Sequence, residues 1–308
     1  MNRCPLTYQP CQSMYSETGL NLLSRRLTGL RELPFSAQEL RQEAAARAGK
    51  MSIQGVQPKL SAQLNIKEQQ FTIVDQGGHY ILKPQTADYP EVPENEDLTM
   101  RCAQAAGIEV PVHGLLYGRD HSLTYFIRRF DRIGRKDKIH VEDFAQLAAL
   151  SRETKYRASM EQVVALINKH CTFPAVERLK LFRLILFCFL VGNEDMHLKN
   201  FSIIHRDNVI ALSPAYDLLN TTIVLANPKE ELALPLNGKK NNLQRRDLID
   251  YFGGKRLQLP KRVIAKVVLE LKEARTAWEE LHARSFLSAE MKEKYFRILE
   301  DRFARLFV

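Results

Sequence analysis

The sequence predicts an α+β fold of two lobes, a small antiparallel β-rich N-lobe followed by a larger, mainly α-helical C-lobe. Three observations carry this. Between residues 51 and 130, short runs such as LSAQLNI, FTIVD and HYILKP alternate or cluster apolar residues and are closed by turn residues. From about Asp131 the pattern changes to long capped segments, among them SMEQVVALINKH and PAVERLKLFRLILFCFLVG. The second of these ends in VGNEDMHLKNFSIIHRDNVIALSPAYD, a polar turn followed by two β-branched runs. The expected division is residues 1–130 and 131–308.

Taken in order, LPFSAQELRQEAAARAG reads as a helix. Ser36 is its N-cap, Glu39 closes a capping box, and Gly49 stops it. In LSAQLNI, Leu60, Ala62, Leu64 and Ile66 face one way, and Ser61, Gln63 and Asn65 the other. FTIVD and HYILKP read as a hairpin turning at Gly77-Gly78. PENEDLTMRCAQAAG is a helix with Pro93 near its start and Gly107 at its end. EVPVHGLLYG and LTYFIRRF make another hairpin through RDHS, and DRIGRKDK is a charged, exposed linker. Ser159 and Gln162 form a second capping box, and the helix from Pro174 is apolar on all sides, as a central buried helix should be. The last fifty residues are amphipathic helices. Ligands favour the cleft of such a two-lobed arrangement.

Composition narrows the function classes. The net charge is +9 with a pI near 9.3, yet Lys and Arg are scattered, with no block of five like charges. A modest excess of base suits an ATP site, an RNA-bound substrate or an acidic partner equally. RNA binding ranks last, because aromatic interleaving and any recognised module are missing. The cysteines (Cys4, Cys11, Cys102, Cys171, Cys188) are odd in number and contain no C-x-x-C pair, which fits a reducing compartment and supports neither a zinc nor a redox motif. MNRCPLTYQP has no apolar core of a secretory signal, and Leu184–Val191 is far short of a membrane span. The expected setting is cytoplasmic, with no membrane partner.

The chemistry concentrates after the apolar helix. Asp195 is followed five positions later by Asn200, with His197 and Lys199 between. FSII and VIALS, joined by HRDN, read as a hairpin that returns Asp217 close to Asn200. That set of oxygen donors suits Mg²⁺, which completes its shell with water and substrate phosphates. Kinases set an aspartate base, a metal-binding asparagine and a metal-binding aspartate across such a hairpin, so the stretch points to ATP-dependent phosphoryl transfer. The competing reading makes these three residues turn formers and a cap. His205-Arg206-Asp207 spells the H-R-D of protein kinases, but that motif needs Asn at position 212, which is leucine, so HRDN reads as the turn. Lys83, closing a strand, is placed either to reach ATP phosphates or simply to be solvated. Glu96 either holds Lys83 by an ion pair or complements the helix dipole. SIQGVQPK (residues 52–59) lies where a phosphate-covering loop would go, although Gly55 is its single glycine.

Together SIQGVQPK, ILKP, FIRRFDR, GNEDMHLKN and LSPAYD resemble, in order and spacing, the HipA-like serine/threonine kinases, toxins of bacterial toxin–antitoxin operons. The likeness covers residues 50–220. The loop begins only about fifty residues in, which resembles the shorter HipT branch of three-gene systems. The resemblance implies a kinase fold, ATP and Mg²⁺. It makes Asp195 the catalytic base, Asn200 and Asp217 the metal ligands, and has His197 and Lys199 contact phosphates or brace the loop. Lys83 would bind ATP phosphates, with Gln54, Gly55, Val56, Gln57 and Lys59 in the covering loop. Backbone groups from Arg128 to Phe130 would hold adenine, although family members usually carry an acidic residue where Arg128 stands. Ser52 would be autophosphorylated. The implied protein substrate is an aminoacyl-tRNA synthetase, whose phosphorylation stops translation. The implied partners are antitoxins of the same operon, a DNA-binding HipB-like protein and a small HipS-like protein, with DNA reached only through the antitoxin. A kinase-shaped scaffold or co-repressor without catalysis is the alternative. Retention of Lys83, Asp195, Asn200 and Asp217 together argues against it.

Overall fold

Leu60, Ala62 and Leu82, from runs expected to be strands, are fully buried in the computed structural model, which describes residues 2–47, 57–134, 137–150, 154–225 and 228–307. Two units form. Unit 1 takes in Met1–Leu98, Pro111–Asp137 and Ala283–Leu287; unit 2 takes in Thr99–Val110, Lys138–His282 and Ser288–Val308.

Unit 1 opens with a short ladder of β1 (Asn2–Arg3) and β2 (Pro10–Cys11), then α1 (Glu17–Leu23) and α2 (Ala37–Arg47). The expected capping box starts α2: Ser36 N–H donates to Glu39 Oε2 at 2.7 Å, and Glu39 N–H donates to Ser36 Oγ at 3.3 Å. Gly49, the expected stop, lies outside the described residues. Next come β3 (Leu60–Asn65), β4 (Gln70–Ile73), β5 (Tyr80–Pro84), the first half of the helix α3 (Val92–Ala105), whose residues from Thr99 on are counted in unit 2, β6 (His113–Tyr117) and β7 (Leu123–Arg128). The five strands make one antiparallel sheet in the order β4-β3-β5-β7-β6. Leu60, Leu82 and Phe126 fill its core, where Phe71 and Tyr80 meet edge to face at 5.0 Å.

The β6–β7 hairpin is as expected, but the one assigned to FTIVD and HYILKP does not form. β3 lies between β4 and β5 and pairs with both. The tight turn is the one before β4, where Asn65 Oδ1 accepts from the N–H groups of Lys67 and Glu68 at 3.1 and 3.2 Å. Gly78 serves a different purpose from the turn read into it. A Cβ there would fall 2.0 Å from Ser61 Oγ and 2.9 Å from the Ala62 nitrogen, so glycine lets the crossing chain lie against β3. The linker after β7 is exposed at Ile133, Gly134, Asp137 and Lys138, as expected, while its start is held by ion pairs. Asp131 pairs with Arg129 at 2.8 Å and Arg132 at 2.5 Å, ahead of a small ladder of β8 (Arg132–Ile133) and β9 (Asp137–Lys138).

Unit 2 contains β10 (Val141–Asp143), α4 (Phe144–Leu147), α5 (Met160–His170), α6 (Pro174–Val191), β11 (Ser202–Arg206), β12 (Val209–Leu212), α7 (Lys261–Arg284) and α8 (Ala289–Phe307). A π-helical segment, Arg246–Arg256, precedes α7 and had no counterpart in the sequence reading. The Ser159–Gln162 capping box forms. As its composition required, α6 is buried from Leu184 to Val191 and packs against α5 and α8. Trp278 of α7 sits edge-on between Phe187 at 5.6 Å and Phe303 at 5.8 Å. The three-stranded sheet β10-β11-β12 closes the unit, and its β11–β12 turn is Asp207-Asn208, both left-handed (φ 48° and 63°), as a two-residue hairpin requires.

Candidate active site

The candidate stretch is built where α6 stops. Gly192 caps that helix at φ 71°, and a Cβ there would lie 2.8 Å from both Asn220 Oδ1 and Ile298 Cγ2. Glycine is therefore needed twice over, for the left-handed cap and for the approach of the segment that follows Asp217. That approach is hydrogen-bonded: Glu194 N–H donates to Thr221 Oγ1 at 2.8 Å, and Thr222 Oγ1 donates to the Gly192 carbonyl at 3.0 Å.

Between these ties the chain makes one tight turn. Asn193 Oδ1 accepts from Asp195 N–H at 3.2 Å, His197 N–H donates to the Asp195 carbonyl at 2.8 Å, and Asn200 Nδ2 donates to the same carbonyl at 2.9 Å. The nitrogen of the Asn200 amide is thus committed, and its oxygen is the atom suited to a cation. Asp217 has φ 55°, a left-handed conformation that Asp and Asn tolerate best among residues with a side chain. Its neighbour Tyr216 fixes it to the other arm of the hairpin. The phenol donates to the Lys199 carbonyl at 3.0 Å and meets Ser202 Oγ at 2.6 Å. Burial, the main influence, holds that phenol above its ordinary pKa.

Asp195 is half-exposed, with 46% of its side chain open to solvent, and its Oδ1 accepts from the Tyr156 hydroxyl at 2.6 Å. His197 is buried beneath it, 4.0 Å from Oδ2, and its Nε2 is 2.6 Å from Lys155 Nζ. Burial and Lys155 hold the imidazole below its usual pKa, although Asp195 and Asp217 both pull the other way. Both carboxylates therefore act on one ring. His197 Nδ1 is buried with no hydrogen-bond partner among the described residues. The oxygen donors of Asp195, Asn200 and Asp217 fit a hard divalent cation such as Mg²⁺.

In unit 1, Lys83 Nζ pairs with Glu96 Oε1 at 2.5 Å, with the side chains 3% and 0% exposed. The ammonium also lies 5.5 Å from the centre of the Tyr125 ring. Strand register sets this contact, since β5 pairs Lys83 with Tyr125 of β7. The N–H groups of Arg128 and Arg129 are used inside the sheet, donating to Val112 at 2.7 Å and His79 at 2.8 Å. A ligand approaching Arg128 or Arg129 therefore meets their carbonyls and not their N–H groups. Gln57 and Lys59 are half-buried just before β3, and Gln57 Nε2 is buried with no partner among the described residues. Ser52, Gln54, Gly55 and Val56 lie outside the described residues. Sequence reasoning missed Tyr156, Tyr216, Thr221 and Thr222. The NTT run and the aromatic before Asp217 were visible, but nothing local to them says what they hold.

Residues 51–278 match the model of the HipA-like C-terminal domain. The chain belongs to this family. It is 32% identical to a protein of Haemophilus influenzae named "Putative kinase", over 93% of this chain and 92% of that one. The serine/threonine-protein kinase toxin HipA of Shewanella oneidensis is 27% identical over 70% of this chain, which spans only 53% of that protein's length. The solved complex of Shewanella HipA with HipB and operator DNA matches with a TM-score of 0.70 and 22% identity, covering 91% of this chain and 72% of that one. The fold is therefore the kinase-like α+β fold of HipA.

Proposed function

We propose that this HipA-like chain is an ATP-dependent serine/threonine protein kinase acting as the toxin of a toxin–antitoxin system, of the HipT type. The observation that carries this reading is the turn-and-hairpin constellation of Asp195, Asn200 and Asp217, pinned by Tyr216, Thr221 and Thr222. Asp195 accepts the proton of a substrate hydroxyl at a carboxylate oxygen. Asn200 and Asp217 hold Mg²⁺, while His197 and Lys199 brace the loop or touch phosphate. Lys83, fixed by Glu96, binds ATP phosphates together with the loop of Gln54, Gly55, Val56, Gln57 and Lys59, and the Phe130 backbone or the Arg128 carbonyl meets adenine. Bound ATP supplies the phosphoryl group. The nucleotide-holding part falls in residues 1–130, and the catalytic and metal part in 131–308.

The substrate we assign is an aminoacyl-tRNA synthetase, with translation arrest as the result and Ser52 as the site of autophosphorylation. The neutralising partners are operon proteins, a DNA-binding HipB-like protein and a small HipS-like one. The HipB-bound state of the Shewanella toxin supports the former. We place the protein in the cytoplasm. All five cysteines are free and buried, and among the described residues no helix is long and apolar enough to cross a membrane.

One observation favours the silent scaffold instead: the Tyr156 hydroxyl occupies the carboxylate of the proposed base. Incubation with Mg-ATP and a synthetase panel, followed by phosphopeptide mapping, separates the two. We expect phosphate on Ser52 and on one synthetase, both lost in Asp195→Asn, since a positioned base contributes ~10²–10⁴-fold. No transfer in the parent chain favours the scaffold, and transfer that survives Asp195→Asn removes Asp195 as the base.

A further inference from the structure

The motif set aside as a turn carries a second site. Among the described residues, His140, Glu142 and His205 each offer one ligand atom, and these atoms lie within 4.8 Å of one another. Register explains the grouping. β10 runs antiparallel to β11 with Glu142 opposite Ile203, and His205 N–H donates to the His140 carbonyl at 3.0 Å, so His140 stands directly opposite His205. Side chains alternate along a strand, so His140, Glu142 and His205 share one face. Glu142 Oε2 lies 3.1 Å from His140 Nε2 and 3.8 Å from His205 Nε2. The two rings meet edge to face at 4.6 Å. In a tetrahedral zinc site, bonds of about 2.0–2.2 Å place neighbouring ligand atoms about 3.4 Å apart. The two measured separations bracket that spacing. A second observation points the same way: Nε2 of His205 is buried and makes no hydrogen bond among the described residues, a cost that a bound cation would remove.

We propose that His140, Glu142 and His205 bind a divalent transition-metal ion of the zinc class, with water in the fourth position. Two imidazoles and one carboxylate suit zinc and not magnesium, whose shell is oxygen, so this site is chemically separate from Asp195, Asn200 and Asp217. His140 is exposed and the other two are half-exposed, which gives the ion an entry path and room for a water ligand. The ion would clamp β10 onto the hairpin that joins Asn200 to Asp217. The strands already meet next to the catalytic turn, where Phe144 N–H donates to the Phe201 carbonyl at 2.9 Å.

Calorimetric titration of the chelator-treated full chain with Zn²⁺, in saturating Mg²⁺, tests this. We expect one equivalent to bind and the melting temperature to rise. Glu142→Gln, which keeps the size of the side chain, and His205→Ala should each weaken binding by more than the roughly 10–100-fold that loss of an outer-shell partner costs. Melting both variants in chelator checks that they fold. Absence of saturable binding overturns the proposal. So does unchanged affinity in both variants, or loss of the zinc equivalent in Asp217→Asn with retention in His205→Ala, which would put the metal in the oxygen site.

Discussion

The two charged centres of this chain are built by opposite means. In unit 1, Lys83 and Glu96 are sealed from solvent, one on a sheet and the other on a helix, each held by regular backbone geometry. In unit 2, Asp195 is half-exposed and sits in a turn, and Asp217 has left-handed backbone. Their positions come from side chain-to-backbone bonds made by Asn200, Tyr216, Thr221 and Thr222. Regular structure holds a fixed charge well. A group that must meet a substrate needs open space, and loops supply it on a rigid base. The first centre should therefore respond to mutation in stability as well as in nucleotide binding, the second in turnover with the fold kept.

The largest expected effect is Asp217→Asn. Asparagine tolerates the same left-handed backbone, so the fold should persist while the proposed metal ligand loses its charge. A catalytic metal supplies several kcal/mol, so turnover should fall on the order of 10³-fold, with weaker calorimetric binding of Mg-ATP. An unchanged nucleotide affinity would take Asp217 out of the metal site. Next comes Glu96→Ala, which removes the carboxylate paired to a buried ammonium. Breaking one side of a buried pair costs about 3–5 kcal/mol, so denaturant unfolding should show a loss of that order. A loss below about 1 kcal/mol would break the contrast, because Lys83 would then be no more committed than a surface lysine.

These contrasts follow what was legible in the sequence. The grouping of Asp195, Asn200 and Asp217 was legible because local spacing sets it, and so were the Ser36 and Ser159 caps and the Asp207-Asn208 turn. The sheet order was not legible. Gly77-Gly78 looks the same whether a chain reverses or crosses a neighbour, and only the contact with β3 decides. At the start of α3 the sequence offered Glu96 either an ion pair with Lys83 or the helix dipole, and the pair forms. The full burial of Asn95 and Asp97 was not legible, because the partner of Asp97 is His113 on β6, 2.9 Å away and distant in sequence.

Glu94, in the same turn, gives a smaller and pH-dependent effect. Burial, helped by Glu91 and Asp97, pushes its carboxyl from 4.5 up to about 7, and its Oε2 is buried without a partner among the described residues. The folded chain thus keeps a proton that the unfolded chain releases near pH 4.5. Stability should be greatest below that pH and decline as pH rises through about 7, by up to about 3 kcal/mol. Glu94→Gln should flatten that decline, measured by melting at pH 4.5 and pH 8. Parallel curves would show that Glu94 is solvated.

The smallest expected effect tests the open side of the comparison. The Tyr156 hydroxyl donates to Asp195 Oδ1 at 2.6 Å, which is where a substrate hydroxyl must bind if Asp195 is the base. Its own phenol is held above the ordinary pKa by burial and by that carboxylate, so it stays a donor throughout the neutral range. A protein substrate must displace this hydrogen bond, whose net worth is about 0.5–1.5 kcal/mol. Tyr156→Phe should therefore lower the KM for the protein substrate by roughly 2–10-fold, with the KM for ATP unmoved, because the nucleotide does not compete for Oδ1. A protein-substrate KM that rises would make Tyr156 a residue that positions Asp195. One that stays constant would show that the phenol leaves the carboxylate when substrate is absent, and the capped state would not describe the resting enzyme.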